Sequence, residues 1–177
     1  MIFRQLFDQS SATYTYLLAA AHGQEALLID PVIGQMKQYL QLLSDLKLNL
    51  SYAIDTHTHA DHITALGALR DETNCATLMG EFTDASCVSE TVCDGELIVL
   101  GDIELRALFT PGHTNESFSF YLQSGGAPAV FTGDCLLIRG SGRTDFQGGD
   151  PGKSWDSIHT KLFSLPEDTL VYPGHDY

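Results

Sequence analysis

Asp55-Thr56-His57-Thr58-His59-Ala60-Asp61-His62 crowds three imidazoles and a carboxylate into six residues, His57 to His62, directly after the apolar run Leu50 to Ile54. The run reads as a buried strand, so the cluster is offered at a strand end. Neutral imidazole is the commonest protein ligand for transition metals, and a carboxylate adds negative charge that helps hold a divalent ion. A protein core has use for one hydrogen-bonded histidine. Several side by side carry a large desolvation cost unless a partner such as a metal relieves it.

Working outward, the same punctuation recurs. Leu105-Arg106-Ala107-Leu108-Phe109 stops at Thr110-Pro111-Gly112-His113, Ala129-Val130-Phe131-Thr132 stops at Gly133-Asp134, and Leu170-Val171-Tyr172 stops at Pro173-Gly174-His175. Each β-like run ends in a Gly or Pro turn and then a potential ligand. Taken singly, His113, Asp134 or His175 is as readily a solvated turn residue. Together with the first cluster they predict one metal site built on strand ends, where strands fix positions and loops carry reactive groups.

The segments HTHADH, TPGHT, FTGD and YPGHDY, in this order and over essentially the whole chain, resemble the metallo-β-lactamase superfamily. That resemblance implies an α/β (α+β) fold, an αββα sandwich of two mixed β-sheets flanked by helices, with the metal site at one edge. In the full pattern His57, His59 and His113 face one ion, Asp61, His62 and His175 a second, and Asp134 bridges them. A narrower resemblance lies in Leu136-Leu137-Ile138-Arg139-Gly140-Ser141-Gly142-Arg143-Thr144-Asp145-Phe146-Gln147 and the closing His175-Asp176-Tyr177. These are similar to the persulfide dioxygenase branch, as are the opening Phe3 to Asp8 and Ser11 to Leu18. Glyoxalase II, the neighbouring branch, usually has a third His where this chain has Thr58.

The branch implies a mononuclear non-heme Fe(II) enzyme, one iron per chain, with His57, His113 and Asp134 as ligands. Two His and one carboxylate form a facial triad with open positions, suited to glutathione persulfide and O2 as substrates, with sulfite and glutathione as products. His59, Asp61, His62 and His175 are then groups around the ligands, or the ligands of a second metal. Arg143 and Tyr177 are the expected substrate contacts, since a guanidinium can grip a glutathione carboxylate through two parallel hydrogen bonds. An ion pair between Arg143 and Asp145 is the structural alternative. The competing enzyme reading is a glyoxalase II-like hydroxyacylglutathione hydrolase with a dinuclear zinc-type site. A catalytically silent metal-binding module is the third. The resemblance admits a homodimer and a sulfurtransferase (rhodanese) as partners, and the sequence selects neither.

Composition bounds these readings. The 177 residues, 44% hydrophobic, predict a single domain over 1–177 with a substantial core. Relatives in this branch continue beyond the HDY motif, so the domain is expected to lack a C-terminal segment. A formal net charge of −14 argues against nucleic acid and anionic membrane surfaces. No apolar run has membrane-spanning length, and no leader precedes Phe3, so a bacterial cytoplasmic protein is the expectation. The cysteines Cys75, Cys87, Cys93 and Cys135 lack paired metal spacing. Cys75 is read as a strand residue and Cys135 as a core neighbour of Asp134.

Periodicity predicts strands over Ile2 to Phe7, Tyr14 to Ala19, Ala26 to Asp30, Ala76 to Gly80, Leu97 to Leu100, Ile103 to Phe109, Phe118 to Leu122 and Ala129 to Thr132. Helices are expected over Met36 to Leu46, from within the metal motif through Leu69, and around Lys153 to Phe163. Gly140 to Gly152 is too Gly-rich for either element and reads as a long functional loop.

Overall fold

Thr13–Ala19 shows why the chain folds as a stack of layers. Its successive side chains alternate sides, and both sides are apolar: Tyr16 and Leu18 join one buried cluster, Leu17 and Ala19 another. A strand buried on both faces belongs to a sheet covered on both faces. In the structure, a computed structural model that describes residues 1–124 and 127–177, this strand is β2 of a six-stranded sheet.

That sheet runs β1 (Ile2–Asp8), β2, β3 (Glu25–Ile29), β4 (Asn49–Ile54), β5 (Ala76–Gly80) and β6 (Glu90–Val92) in spatial order. Its first three strands are antiparallel and the rest parallel. The second sheet has the order β11 (Leu170–Pro173), β10 (Ala129–Gly133), β9 (Phe118–Leu122), β8 (Ile103–Phe109) and β7 (Leu97–Leu100), antiparallel except for β10 with β11. Between the sheets lie Tyr16, Leu18, Ile54, Phe118, Phe120 and Phe131. Helices α1 (Met36–Asp45) and α2 (Leu66–Thr73) cover the outer face of the first sheet through Tyr39, Leu43, Leu66 and Leu69. On the outer face of the second, Leu108, Tyr121, Val130 and Cys135 pack with Leu162. The two mixed sheets between helices are the architecture expected from the sequence.

Most elements lie within a residue or two of their expected limits. Two readings are corrected and one strand is added. The second helix does not begin inside the metal motif: Ala65 N–H donates to Pro31 O at 2.7 Å and Ile33 N–H to Ile63 O at 2.9 Å, tying residues 63–65 to the 31–33 segment until α2 starts at Leu66. Cys75 precedes β5 instead of lying in it, because Asn74 adopts the left-handed conformation (φ 60°) that ends α2 and leaves Cys75 as a buried connector. The strand β6, three residues long, was not foreseen. The third expected helix is α3 (Pro151–Asp156), capped by Asp150 accepting from Gly152 and Lys153 N–H, and it runs into a π-helical turn over Ser157–Leu162.

At one edge the sheets are bonded to each other. Phe118 N–H in the second sheet donates to Thr56 O beyond β4 (2.8 Å), Tyr14 N–H in the first donates to Gly174 O beyond β11 (2.8 Å), and the Tyr16 hydroxyl donates to Pro173 O (2.6 Å). The candidate ligands occupy this edge.

Candidate metal centre

Strand direction gathers the ligands. Because β3 and β4 are parallel, Asp30 and the Asp55 to His57 segment leave the first sheet side by side. In the second sheet β10 and β11 are parallel, and β8 shares their direction because β9 is antiparallel to both β8 and β10. The carboxyl ends carrying His113, Asp134 and His175 therefore face the same edge, where open α/β sheets bind ligands.

One nitrogen or oxygen from each of His57, His113 and Asp134 lies within 4.8 Å of the others, and His59, Asp61 and His62 form a second group with the same spacing. His113 Nε2 is 3.5 Å from Asp134 Oδ2, while His175 Nε2 is 3.5 Å from Asp134 Oδ1 and 3.7 Å from Asp61 Oδ2. The His57 and His59 ring centroids are 4.2 Å apart. All seven sequence-derived candidate ligands thus sit in one cluster.

The unsatisfied atoms of the cluster fit a metal. Among the described residues, seven buried side-chain N or O atoms lack a hydrogen bond, and four of these belong to the cluster: His59 Nδ1, His62 Nε2, Asp134 Oδ1 and His175 Nε2. Buried polar atoms are normally paired, so a convergence of orphaned imidazole nitrogens and a carboxylate oxygen is a donor set suited to a divalent cation. The charge balance agrees. Burial pushes His59 down, but the hydrogen bond from its ring to Asp30 and the charges of Asp30, Asp55 and Asp61 outweigh it and lift the group to about 9. The carboxylates therefore collect positive charge, which a divalent ion would supply in place of the proton. Burial and the neighbouring imidazoles hold His57 well below the ordinary histidine value, leaving it neutral with a lone pair available.

Ring orientation is set by hydrogen bonds on the far nitrogens. His113 Nδ1–H donates to Arg143 O at 2.8 Å, leaving Nε2 for the cluster. His57 Nδ1 lies 2.9 Å from Thr56 Oγ1, which donates to Asp30 Oδ2 at 3.0 Å; Thr56 N–H donates to Asp30 Oδ1 at 2.7 Å. Asp30 has φ 52°, a backbone conformation uncommon outside Gly, Asn and Asp. Two glycines let the backbone come close: a Cβ at Gly142 would lie 2.6 Å from both Asp134 O and His113 Nδ1, and one at Gly133 (φ 50°) 2.4 Å from Thr56 Oγ1.

The cluster opens on a cleft of about 230 Å³ lined by Ala60, Asp61, His113, Asp134, Arg143, Phe146, Gln147 and Tyr177. Both residues expected to contact substrate line it. The Arg143 guanidinium pairs with Asp145 through Nε (2.7 Å) and Nη2 (3.0 Å), the arrangement read from sequence as its structural alternative. Tyr177 stacks on His175 at 5.0 Å, and burial pushes its phenol up to about 12, so it stays a neutral donor. Cys135 is buried beside Asp134 as expected, and burial pushes its thiol up to about 12.

Sequence reasoning missed Asp30, Thr56 and Glu116. Glu116 Oε1 accepts from Thr58 N–H at 2.8 Å and so holds the metal loop. Asp30 follows the apolar run Ala26 to Ile29 and precedes Pro31, so it too sits at a strand end beside a turn residue.

This fold, with donors on strand ends at one edge of the sandwich, defines a class. The profile of the metallo-beta-lactamase superfamily matches residues 10–175, and the chain belongs to that superfamily. Within it the chain is 43% identical to the mitochondrial persulfide dioxygenase ETHE1 of Homo sapiens, over all of this chain and 69% of that protein. The crystal structure of ETHE1 from Myxococcus xanthus matches with a TM-score of 0.94 and 50% identity, covering 100% of this chain and 76% of that one. A probable hydroxyacylglutathione hydrolase of Schizosaccharomyces pombe is 36% identical over 93% of this chain and 64% of its own length.

Proposed function

We propose that the chain is a persulfide dioxygenase that holds one Fe(II) through His57, His113 and Asp134 and oxidises glutathione persulfide with O2 to sulfite and glutathione. The observation that carries this reading is the convergence of two imidazoles and one carboxylate, within 4.8 Å of one another, where His113 and Asp134 line the cleft. The identity to persulfide dioxygenases supports it. Bound there, Fe(II) would supply open coordination positions and the one-electron chemistry that O2 needs.

The chain's own groups do the rest. Thr56 and the Arg143 carbonyl orient the two imidazoles. Asp145 holds the Nε–Nη2 edge of the Arg143 guanidinium, and Arg143 Nη1 makes no hydrogen bond among the described residues, leaving it to take a glutathione carboxylate at the cleft mouth. The Tyr177 phenol, whose ionisation burial pushes up to about 12, lines the same cleft and is the second donor available to the substrate. A sulfurtransferase that handles the persulfide and a second copy of the chain are the partners this reading extends to. No helix among the described residues is long and apolar enough to cross a membrane.

A specific observation favours the second reading, a dinuclear hydroxyacylglutathione hydrolase: His59, Asp61 and His62 converge as closely as the first group. One experiment separates the two. Anaerobically iron-loaded protein is given glutathione persulfide, and oxygen uptake and sulfite are followed in the same vessel. Iron-dependent uptake with matching sulfite is expected. Thioester hydrolysis with two zinc-type ions per chain and no oxygen uptake would replace the dioxygenase by the hydrolase.

A further inference from the structure

Asp30 touches no candidate ligand of the triad, yet its two oxygens are fully engaged on the metal loop. Oδ1 accepts from Thr56 N–H and lies 3.3 Å from His59 Nε2; Oδ2 accepts from the Thr56 hydroxyl. Asp30 and Thr56 are both about 1% exposed, so water does not compete for these bonds. A hydroxyl has one hydrogen. Once Thr56 spends it on a carboxylate, its oxygen can only accept from the third neighbour, His57 Nδ1 at 2.9 Å. The His57 proton is thereby confined to Nδ1, and Nε2 keeps the lone pair.

We propose that Asp30 is a positioning residue that sets, through Thr56, which nitrogen of His57 carries its proton, and so whether that imidazole can ligate a metal. The inference rests on the proposed function only in taking His57 as a ligand. Its chemistry is a directional chain, carboxylate to hydroxyl to imidazole, in which every hydrogen points toward Asp30. The direction is a property of the carboxylate alone, because a group that donates in its place reverses it.

Asp30→Asn makes that reversal. Two donors, Thr56 N–H and the His59 ring, meet Oδ1, so the amide oxygen must occupy that position and the amide NH2 must face the Thr56 hydroxyl. Thr56 Oγ1 then accepts from the amide and turns its own hydrogen toward His57 Nδ1. His57 moves its proton to Nε2, the nitrogen that would ligate. A merely structural role for Asp30 predicts no such exchange.

The test uses the full chain, metal-free and labelled with nitrogen-15, with the His57 resonance assigned by its loss in His57→Gln. Two-bond nitrogen–proton correlations distinguish the tautomers. Nδ1–H is expected in the unsubstituted protein and Nε2–H in Asp30→Asn, with Zn(II) affinity lowered about 10–100-fold, the usual cost of disturbing a group that orients a metal ligand. The same tautomer in both folded proteins would overturn the proposal. Should Asp30→Asn fail to fold, Thr56→Val and Thr56→Ser decide: the valine should lose about 10–100-fold in Zn(II) affinity and the serine should keep it, whereas a valine variant that binds like the unsubstituted protein sinks the idea. Neither readout involves oxygen or persulfide. Absence of dioxygenase activity would remove the proposed reaction and leave the relay standing.

Discussion

Asp134 turns one oxygen toward His113 and the other toward His175, each at 3.5 Å, so a single carboxylate borders both ligand groups. Asp134→Ala and His113→Ala should each abolish iron retention while leaving the far-ultraviolet circular dichroism of the fold, whereas His59→Ala should cost more turnover than iron. Metal per chain after gel filtration checks this, and iron at unsubstituted stoichiometry in Asp134→Ala would remove it from the ligand set. A methyl group suffices to disturb the same corner. Gly142→Ala sets a Cβ against backbone and ring atoms 2.6 Å away, so His113 must shift and turnover should fall more than tenfold with little change in secondary structure. Cys135 gives a pH-dependent signature: its thiol is pushed from 9.0 to about 12 in the fold. Above pH 9 the unfolded chain binds fewer protons than the folded one, so this group's contribution falls as pH rises toward 12, by up to about 1.4 kcal/mol per pH unit. Urea titrations from pH 8 to 11 should show a shallower alkaline decline in Cys135→Ala. The candidate ligands were legible because His57, His59, Asp61 and His62 crowd together after one apolar run, and His113, Asp134 and His175 each follow an apolar run and a Gly or Pro turn. Asp30 also sits at the end of an apolar run, but its partners Thr56 and His59 follow β4, whose pairing with β3 is nonlocal, and that pairing is not written beside it in the sequence.

Among the elements, α1 is held to the first sheet by apolar packing and by the Tyr39 hydroxyl. The Tyr39 hydroxyl accepts from Val32 N–H and exchanges a hydrogen bond with Thr15 Oγ1, both at 2.9 Å and buried. Tyr39→Phe keeps the ring and strands the Val32 N–H, so a loss of about 1–3 kcal/mol is expected in the unfolding free energy from urea titration. A change within a few tenths of a kcal/mol would show that water replaces the hydroxyl. Strands β2, β4 and β10 announce themselves by apolar content. The three residues of β6 are too few for a period of two to register, and the start of α2 is set by bonds to Pro31 and Ile33, more than thirty residues upstream, that no local pattern encodes. Where periodicity spans several turns or pleats the element was readable, and where long-range hydrogen bonds set the limits it was not.

For the molecule as a whole, the ligand cluster draws on both sheets: His57, His59, Asp61 and His62 follow β4, while His113, Asp134 and His175 follow β8, β10 and β11. An ion bound there ties the two halves of the sandwich together and binds the folded state in preference to the unfolded one. At a free metal concentration 100 times its dissociation constant the gain is about 2.7 kcal/mol. Stripping the metal with a chelator should lower the melting temperature by about 5–10 °C for a chain of this length, and an unchanged temperature would mean the cluster binds metal weakly or not at all. The protein backbone already prepares this edge. Phe118 N–H to Thr56 O and Tyr14 N–H to Gly174 O stitch sheet to sheet beside the ligands. The sandwich is therefore bound like a book along one spine: thermal opening should be easiest at the opposite margin, where, among the described residues, no backbone hydrogen bond joins sheet to sheet. Deuterium should enter the amides of Tyr14 and Phe118 only when the whole molecule unfolds, which makes the spine a fixed platform on which reactants can come and go without the protein having to reassemble its site between turnovers.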